Sequence, residues 1–299
     1  IISIKKINKL PQIVKKKIYE DIKKITAKRE FLNKKNHILM GVLNLTPDSF
    51  SDGGKFNSSK KALKRIKNMI DAGADIIDVG GESTRPGSKI VSQKNELRRV
   101  KFVVKNFKKK YPKTLLSIDT RKSKVMNFSL ENDVDIVNDV SCFKFDPVSF
   151  ETIKNKNVWK IIHHMQGTPQ TMQNNPKYNY VLLDIYDFFE KKIEKFKKLK
   201  YKKKIILDPG IGFGKNLKHN LIILNKISLF HSLGFPILIG TSRKRFINQI
   251  SGKYDTKERI GGTLSSIMYS LSQGIKIFRV HNVEEVKQGI LVFEKLLNK

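Results

Sequence analysis

The sequence predicts an α/β chain folded as a single (β/α)8 TIM barrel with a basic helical extension at its N-terminus. Three observations carry that prediction. From residue 38 onward, eight short apolar runs alternate with segments of helical period. Each run is continuous rather than alternating, the pattern of a parallel strand buried on both faces. Nearly every run also meets a polar residue at its C-terminal end, and in a barrel those ends converge on one rim. Eight strand-helix units within about 260 residues suit such a barrel better than an open doubly wound sheet.

Taken in order, residues 1–37 carry a basic helical segment at about 13–30. Glu20, Asp21 and Glu30 and the shortage of Ser argue against a transit peptide. The segment reads as a helix plugging the barrel bottom or a linker from an upstream domain, so the chain divides into 1–37 and a barrel at 38–299. The first strand is ILMGVL (38–43), leading into Asn44, and SSKKALKRIKNMIDAG (58–73) follows as an amphipathic helix. DIIDVG (75–80) is the second strand and SQKNELRRVKFVVKNFKKK (92–110) its helix. LLSID (115–119), DIVND (135–139) and VWKIIHH (158–164) come next, ending at Asp119, at Asn138 with Asp139, and at His163 with His164. The helix YVLLDIYDFFEKKIEKFKKL (180–199) precedes strand KIILD (204–208), which ends at Asp208, and LIILNKISLFHSLG (221–234) precedes PILIG (236–240). KIFRVH (276–281) closes the series with Arg279 and His281. Any one of these terminal residues is explained by helix capping. Capping does not explain a set of Asn, Asp, His and Arg at the ends of buried strands.

Of the 299 residues, 60 are Lys or Arg and 27 are Asp or Glu, a net charge of +33. With 39% hydrophobic residues, wholesale disorder is excluded. The single Cys142 allows neither an internal disulfide nor a zinc cluster, which places the chain in a reducing, cytoplasmic compartment. No run approaches the roughly 18 apolar residues of a membrane span. Only ten of the basic residues are Arg, and the lysines recur at helix-surface spacing as in KKKIYEDIKK (15–24). They read as solvated helix faces rather than a nucleic-acid footprint, which favours Arg and interleaved aromatics. The field they create attracts small anions.

The loops carry the chemistry. GVLNLTPDSFSDGGKF (41–56) is a polar, glycine-ended loop on a rigid strand, the construction of a mobile lid. GGESTRPGS (80–88) offers small residues for close backbone approach, with Thr84 and Arg85 as donors to an anion. DPGIGFGKN (208–216) is not a phosphate-binding P-loop, because the glycine spacing is one short and Asn216 replaces the hydroxyl. Its Asp208 reads as a rim carboxylate. GTSRKRFI (240–247) sets two hydroxyls and three cations where a strand becomes a helix, a place to meet an anion. Neighbouring His163 and His164 point to opposite faces of their strand, so they are not a metal pair.

MGVLNLTPDSFSDGG (40–54), DIIDVGGESTRPG (75–87), SIDTRK (117–122), IVNDVS (136–141), HHMQGTPQTMQ (163–173), ILDPGIGFGK (206–215), GTSRKRF (240–246) and RVHNV (279–283) resemble, in order, the signature segments of the dihydropteroate synthases. That resemblance spans roughly residues 38–299 and implies a pterin-binding barrel. It implies a transferase of folate biosynthesis that joins p-aminobenzoate to (7,8-dihydropterin-6-yl)methyl diphosphate and releases diphosphate with Mg²⁺ bound. Carried over by motif, Asp119, Asn138, Asp208 and Lys244 match the pterin pocket. A carboxylate suits the adjacent donors of an amino-pyrimidinone edge, and an Asn amide and a Lys ammonium suit its acceptors. Asn44, Thr84, Arg85, Arg279 and His281 match the diphosphate and Mg²⁺ site, with Asn44 the metal ligand. Phe50, Pro86, Phe213 and the helix start at Lys244 and Arg245 match the p-aminobenzoate side. Catalysis falls to Asn44, Asp119, Lys244, Arg279 and His281, and the resemblance implies a homodimer.

Three rivals make different demands. A pterin-binding domain of a corrinoid methyltransferase leaves Arg85, Arg279 and His281 without a diphosphate to bind. A nucleic-acid-binding protein needs Arg and aromatics grouped on one face. An inactive barrel paralogue need not keep every required residue, as this chain does.

Overall fold

The apolar runs become eight parallel strands: β1 (Ile38–Asn44), β2 (Ile76–Gly80), β3 (Leu115–Asp119), β4 (Ile136–Asp139), β5 (Trp159–His163), β6 (Ile205–Asp208), β7 (Leu238–Ile239) and β8 (Ile277–Val280). The structure is a computed structural model that describes residues 7, 9–27, 29, 31, 36–46, 55–252 and 255–297. Strands pair in the order β6-β5-β4-β3-β2-β1-β8-β7. A parallel bridge between Leu207 and Ile237 joins the two ends, with the Leu207 N–H donating to the Pro236 carbonyl at 2.9 Å. The fold is the (β/α)8 barrel that the sequence predicts.

Alternation of side chains divides the strand residues into two cores. Ile38, Met40, Ile76, Ile136, Ile161, Ile206, Leu238 and Ile277 fill the barrel interior. Leu39, Leu43, Ile77, Val79, Leu116, Ile118, Ile162, Leu207 and Phe278 face outward into a second core shared with the helices. Burial on both faces is why the runs are continuously apolar. Each fully buried side chain of this size contributes about 1.5–3 kcal/mol.

The helices that cover the strands are α2 (Lys55–Asp71), α3 (Gln93–Lys110), α4 (Ser123–Leu130), α5 (Ser149–Ile153), α6 (Val181–Lys197), α7 (Leu217–Asn225), α8 (Arg245–Ser251), α9 (Ile260–Ser272) and α10 (Val283–Leu297). α3 shows how their sequence works: Ser92 caps it, Val100, Val103, Val104 and Phe107 are buried, and Lys94, Lys101, Lys105 and Lys109 are exposed. Its lysines occupy the solvated face, as their spacing predicts.

Two expectations need correction. The helix predicted over 221–234 is α7 followed by a 3-10 segment, Ile227–Leu233, which ends on left-handed Gly234. The N-terminal helix, α1 (Gln12–Thr26), does not plug the barrel. It buries no residue, and it lies outside against the 3-10 segment, where Arg29 Nη2 donates to the His231 carbonyl at 3.3 Å. Ile13, Val14, Tyr19, Ile22 and Ile25 stay exposed on it. Phe31, edge-on to Trp159 at 4.5 Å, packs with Trp159 and Leu115 on the inner core.

The loop after β6 sets the site's geometry. Gly210, Gly212 and Gly214 all take left-handed φ, at +69°, +81° and +62°. The glycine pattern that imitates a phosphate loop is thus a requirement of backbone turns. A Cβ on Gly210 would lie 2.0 Å from the His164 carbonyl oxygen, so this loop is pressed against the one after β5. Gly210→Ala is expected to cost at least about 2 kcal/mol, combining left-handed strain with displacement of His164. Urea denaturation measures it, and a loss below about 0.5 kcal/mol would contradict this packing.

Candidate active site

One layer above the apolar floor, the inward positions become polar: Asp78, Ser117, Asn138, His163, Asp208 and Arg279. Burial of so many polar groups demands partners. Arg279 supplies several of them, its Nε donating to Asp78 Oδ2 at 2.7 Å and its Nη2 to Asp119 Oδ2 at 2.8 Å. Asn138 Nδ2 donates to the same Asp78 oxygen at 3.2 Å. Burial pushes the Asp119 carboxyl well up, more than Arg279 pulls it down. For Arg279 the balance is reversed: burial lowers it, but Asp78 and Asp119 outweigh burial and raise it.

Above this layer opens a cavity of about 760 Å³. Asn44, Thr84, Arg85, Pro86, Asn138, Asp208, Phe213, Lys244, Arg245, Arg279 and His281 line it, so the structure brings together residues from six strand ends that sequence reasoning singled out. Asp119 does not line it and stands behind Arg279. Phe50, with most of the predicted lid, lies outside the described residues. Polar contacts tie the second loop to its surroundings. Its Val91 N–H donates to Glu82 at 2.8 Å, Gly87 N–H to Pro169 at 3.1 Å, and Gln170 Nε2 to the Ser88 carbonyl at 2.9 Å. Burial pushes Glu82 up, but the Val91 amide and Arg121 outweigh it and hold the carboxyl low.

Deep in the cavity, Asp208 Oδ1 accepts the Gly210 N–H at 2.8 Å, and Oδ2 faces His163 Nε2 at 3.9 Å. Burial raises the Asp208 carboxyl above its ordinary value. Lys244 stands over the Phe213 ring, its Nζ 3.9 Å from the centroid, and burial followed by the repulsion of Arg279 lowers its pKa. The turn that aims Lys244 runs through Arg243, a non-glycine residue at φ +61°. Asn282 Oδ1 accepts from Arg243 Nε at 3.0 Å and Nη2 at 2.7 Å, and Arg259 donates to its carbonyl at 3.0 Å. Those contacts hold a conformation that costs about 1–2 kcal/mol.

At the rim, Ser242 Oγ lies 3.1 Å from His281 Nδ1 and accepts the His281 N–H at 3.2 Å. Burial first, then Arg279, Arg243 and Arg85, push the imidazole down to about 3. His281 is therefore neutral in the absence of an anion. Arg85 and Arg243 from two loops and Arg279 from β8 act on it together, a concentration of positive charge suited to an anionic ligand. Among the described residues no group of three His, Cys, Asp or Glu side chains gathers to hold a metal.

Sequence reasoning missed Asp78 and Lys215, and it singled out His163 at a strand end without giving it a role. Asp78 carried a signal: a carboxylate in mid-strand, facing a buried interior, requires a cation. Lys215 carried none. Its Nζ donates to the Phe213 carbonyl at 2.8 Å and to His164 Nδ1 at 3.0 Å, and burial lowers it to about 7. It braces two loops from inside, and Asn216 beside it caps α7.

Residues 40–281 match the family of pterin-binding enzymes. The dihydropteroate synthase of Escherichia coli is 40% identical over 276 residues, 92% of this chain and 97% of its own length. That of Synechocystis is 40% identical over 263 residues, covering 88% and 91%. The chain belongs to the dihydropteroate synthase family. Among solved structures, Yersinia pestis dihydropteroate synthase in a sulfonamide drug complex superposes with a TM-score of 0.83 at 36% identity, covering 91% of this chain and 99% of that one. The Xanthomonas albilineans enzyme in complex with 7,8-dihydropteroate gives 0.78 at 28% identity, covering 88% and 94%. As a dihydropteroate synthase family member the chain is a transferase, and no described helix is long and apolar enough to cross a membrane.

Burial holds His163 well below its ordinary value and His164 at about 2, with the nearby cations adding to both. Together with His281, these imidazoles stay neutral when folded. Unfolded imidazoles take up protons below about pH 6.5, so the stability these three contribute is complete above that pH and lost below it. Nitrogen NMR of the three rings is expected to be flat from pH 8 to 5, and an inflection near 6.5 would contradict their burial.

Proposed function

We infer that this chain condenses p-aminobenzoate with (7,8-dihydropterin-6-yl)methyl diphosphate, giving 7,8-dihydropteroate and diphosphate in folate biosynthesis. The observation that carries the reading is one cavity lined by two chemically distinct sets of groups. Its depth presents Asp208, Asn138 and Lys244. Those groups complement the donors and acceptors of a flat amino-pyrimidinone ring. Arg279 beside them, with Arg85 and His281 on the same lining, complements a diphosphate. The Xanthomonas albilineans relative is solved in complex with 7,8-dihydropteroate, the product of this reaction. A corrinoid-linked pterin domain leaves the cationic groups unused.

The reaction breaks the bond between the pterin methylene carbon and the diphosphate oxygen, whose electron pair leaves with the diphosphate. The amine of p-aminobenzoate forms the new C–N bond and gives up a proton. The pterin ring delocalises positive charge on the methylene carbon, so no covalent nucleophile is required. What the protein supplies is position and charge neutralisation. Arg85 and Arg279 stabilise the leaving group. Diphosphate opposes the cations that keep His281 neutral, which raises that imidazole and equips it to donate to the departing oxygen. Phe213, braced by Lys215 and crossed by Lys244, forms a wall for the aromatic ring, and Pro86 faces the same cavity.

Mg²⁺ fits this donor set only as a partner of the diphosphate. A site whose one assigned ligand is a neutral amide among cations repels a free divalent ion, whereas Mg²⁺ commonly binds through one or two protein groups, waters and substrate phosphates. Asn44 is the residue assigned to hold it, and when bound it would neutralise charge on the leaving group. A homodimer is a proposal from the same resemblance, tested by a solution mass of twice 34.5 kDa.

Diphosphate release should require both substrates and fall strongly when Mg²⁺ is chelated. Release that ignores p-aminobenzoate would overturn the reading. Asp208→Asn should weaken binding of a pterin analogue by roughly 10- to 100-fold, since it removes a charged acceptor. Calorimetry checks the affinity and thermal melting checks the fold. Unchanged affinity with lowered stability would make Asp208 structural instead.

A further inference from the structure

The proposed pocket contains an acceptor that neither the signature motifs nor the reaction assigns. His163 ends β5, is 3% exposed, and lines the cavity beside Asp208. Its Nδ1 lies 3.2 Å from the Val140 carbonyl oxygen. A carbonyl oxygen only accepts, so Nδ1 carries the ring hydrogen and Nε2 presents its lone pair. That lone pair faces Asp208 Oδ2 at 3.9 Å, too long for a direct hydrogen bond. The ring is fixed in this pose by Phe213, edge-on at 4.6 Å. Its Cε1 also lies 3.0 Å from where a Cβ on Gly210 would stand.

Two buried acceptors therefore point at one another. Protonating the imidazole would resolve the conflict, but burial and the cations Lys215 and Lys244 keep His163 neutral. A ligand that donates two hydrogens from one atom resolves it in another way. We propose that His163 is a further substrate-recognition residue, its Nε2 and Asp208 Oδ2 together accepting the two hydrogens of the exocyclic amino group of the pterin ring. This rests on the pterin reading of the cavity and adds a selectivity to it. A ring with a carbonyl in place of the amino group sets a third acceptor against the pair, and His163 acts against it. Asp208 alone pairs with any donor edge. His163 makes the position specific for a group with two hydrogens.

The probes are 6-hydroxymethylpterin and 6-hydroxymethyllumazine, which carries oxygen where the pterin carries the amino group, titrated calorimetrically into the full chain. Wild type should bind the pterin and discriminate against the lumazine. His163→Leu should lose roughly 10- to 100-fold in pterin affinity while lumazine, relieved of one opposing acceptor, binds no worse, so that discrimination falls. His163→Gln, whose side-chain carbonyl restores an acceptor, should recover most of it. Nitrogen NMR of wild type supplies a readout that needs no variant: His163 Nε2 should shift on adding the pterin and not on adding the lumazine. Equal pterin affinity in wild type and His163→Leu would overturn the proposal, as would loss of both probes by one factor or an Nε2 that ignores the pterin. A wild type that binds no pterin sinks the pocket reading itself, which is a separate result.

Discussion

The guanidinium of Arg279 joins Asp78 on β2 to Asp119 on β3, and the polar half of the barrel interior is arranged around that bridge. Both carboxylates are buried. Without a cation between them two like charges would lie side by side on neighbouring strands, and one would have to neutralise. Removing one partner of such a buried group typically costs about 3–5 kcal/mol, because an uncompensated charge remains. The bridge also spans β8, β1, β2 and β3, so it fixes the mouth on one side. It leaves Arg279 lining the cavity while its Nε and Nη2 are held by the two carboxylates.

The opposite wall is governed by the same requirement, that buried polar groups find partners. Lys215 satisfies the Phe213 carbonyl and His164, Asn282 and Arg259 hold the turn at Arg243, and Gly210 satisfies one oxygen of Asp208. Asp78 Oδ1, Ser117 Oγ and Asn138 Oδ1, all at inward strand positions, are left without a protein partner. The cations outnumber the anions at the rim, and three imidazoles are kept neutral by burial and by those cations. An incoming diphosphate therefore meets a field set in advance, which is the economical form of electrostatic catalysis.

Most of the frame was legible in the sequence. Strands buried on both faces have a continuous apolar signature, and all eight lie where their runs predicted. Asn44, Asn138, Asp208, Arg279 and His281 were readable because each sits at or beyond a strand end, where a polar residue has no packing reason to be. Asp78 was not, and His163, although it ends a strand, gained no role from that position. One lies inside a strand that reads as core, and the other was set beside His164 as one of a pair in which no metal role fits. What distinguishes them is a neighbour from another strand: Arg279 for Asp78, Asp208 and Val140 for His163. Sequence spacing carries no such information. The misreading of α1 has a related cause, since a 3.6-residue apolar period marks a helix but not what it packs against.

The Arg279 bridge is tested most directly by a double-mutant cycle of Asp78→Asn and Arg279→Lys, read in kcat/KM for the pterin diphosphate. If Asp78 acts by orienting the guanidinium, the two losses overlap and the coupling energy is roughly 1.5–3 kcal/mol. Losses that add to within about 0.5 kcal/mol would mean that the residues act independently, and the bridge would not be what organises the site.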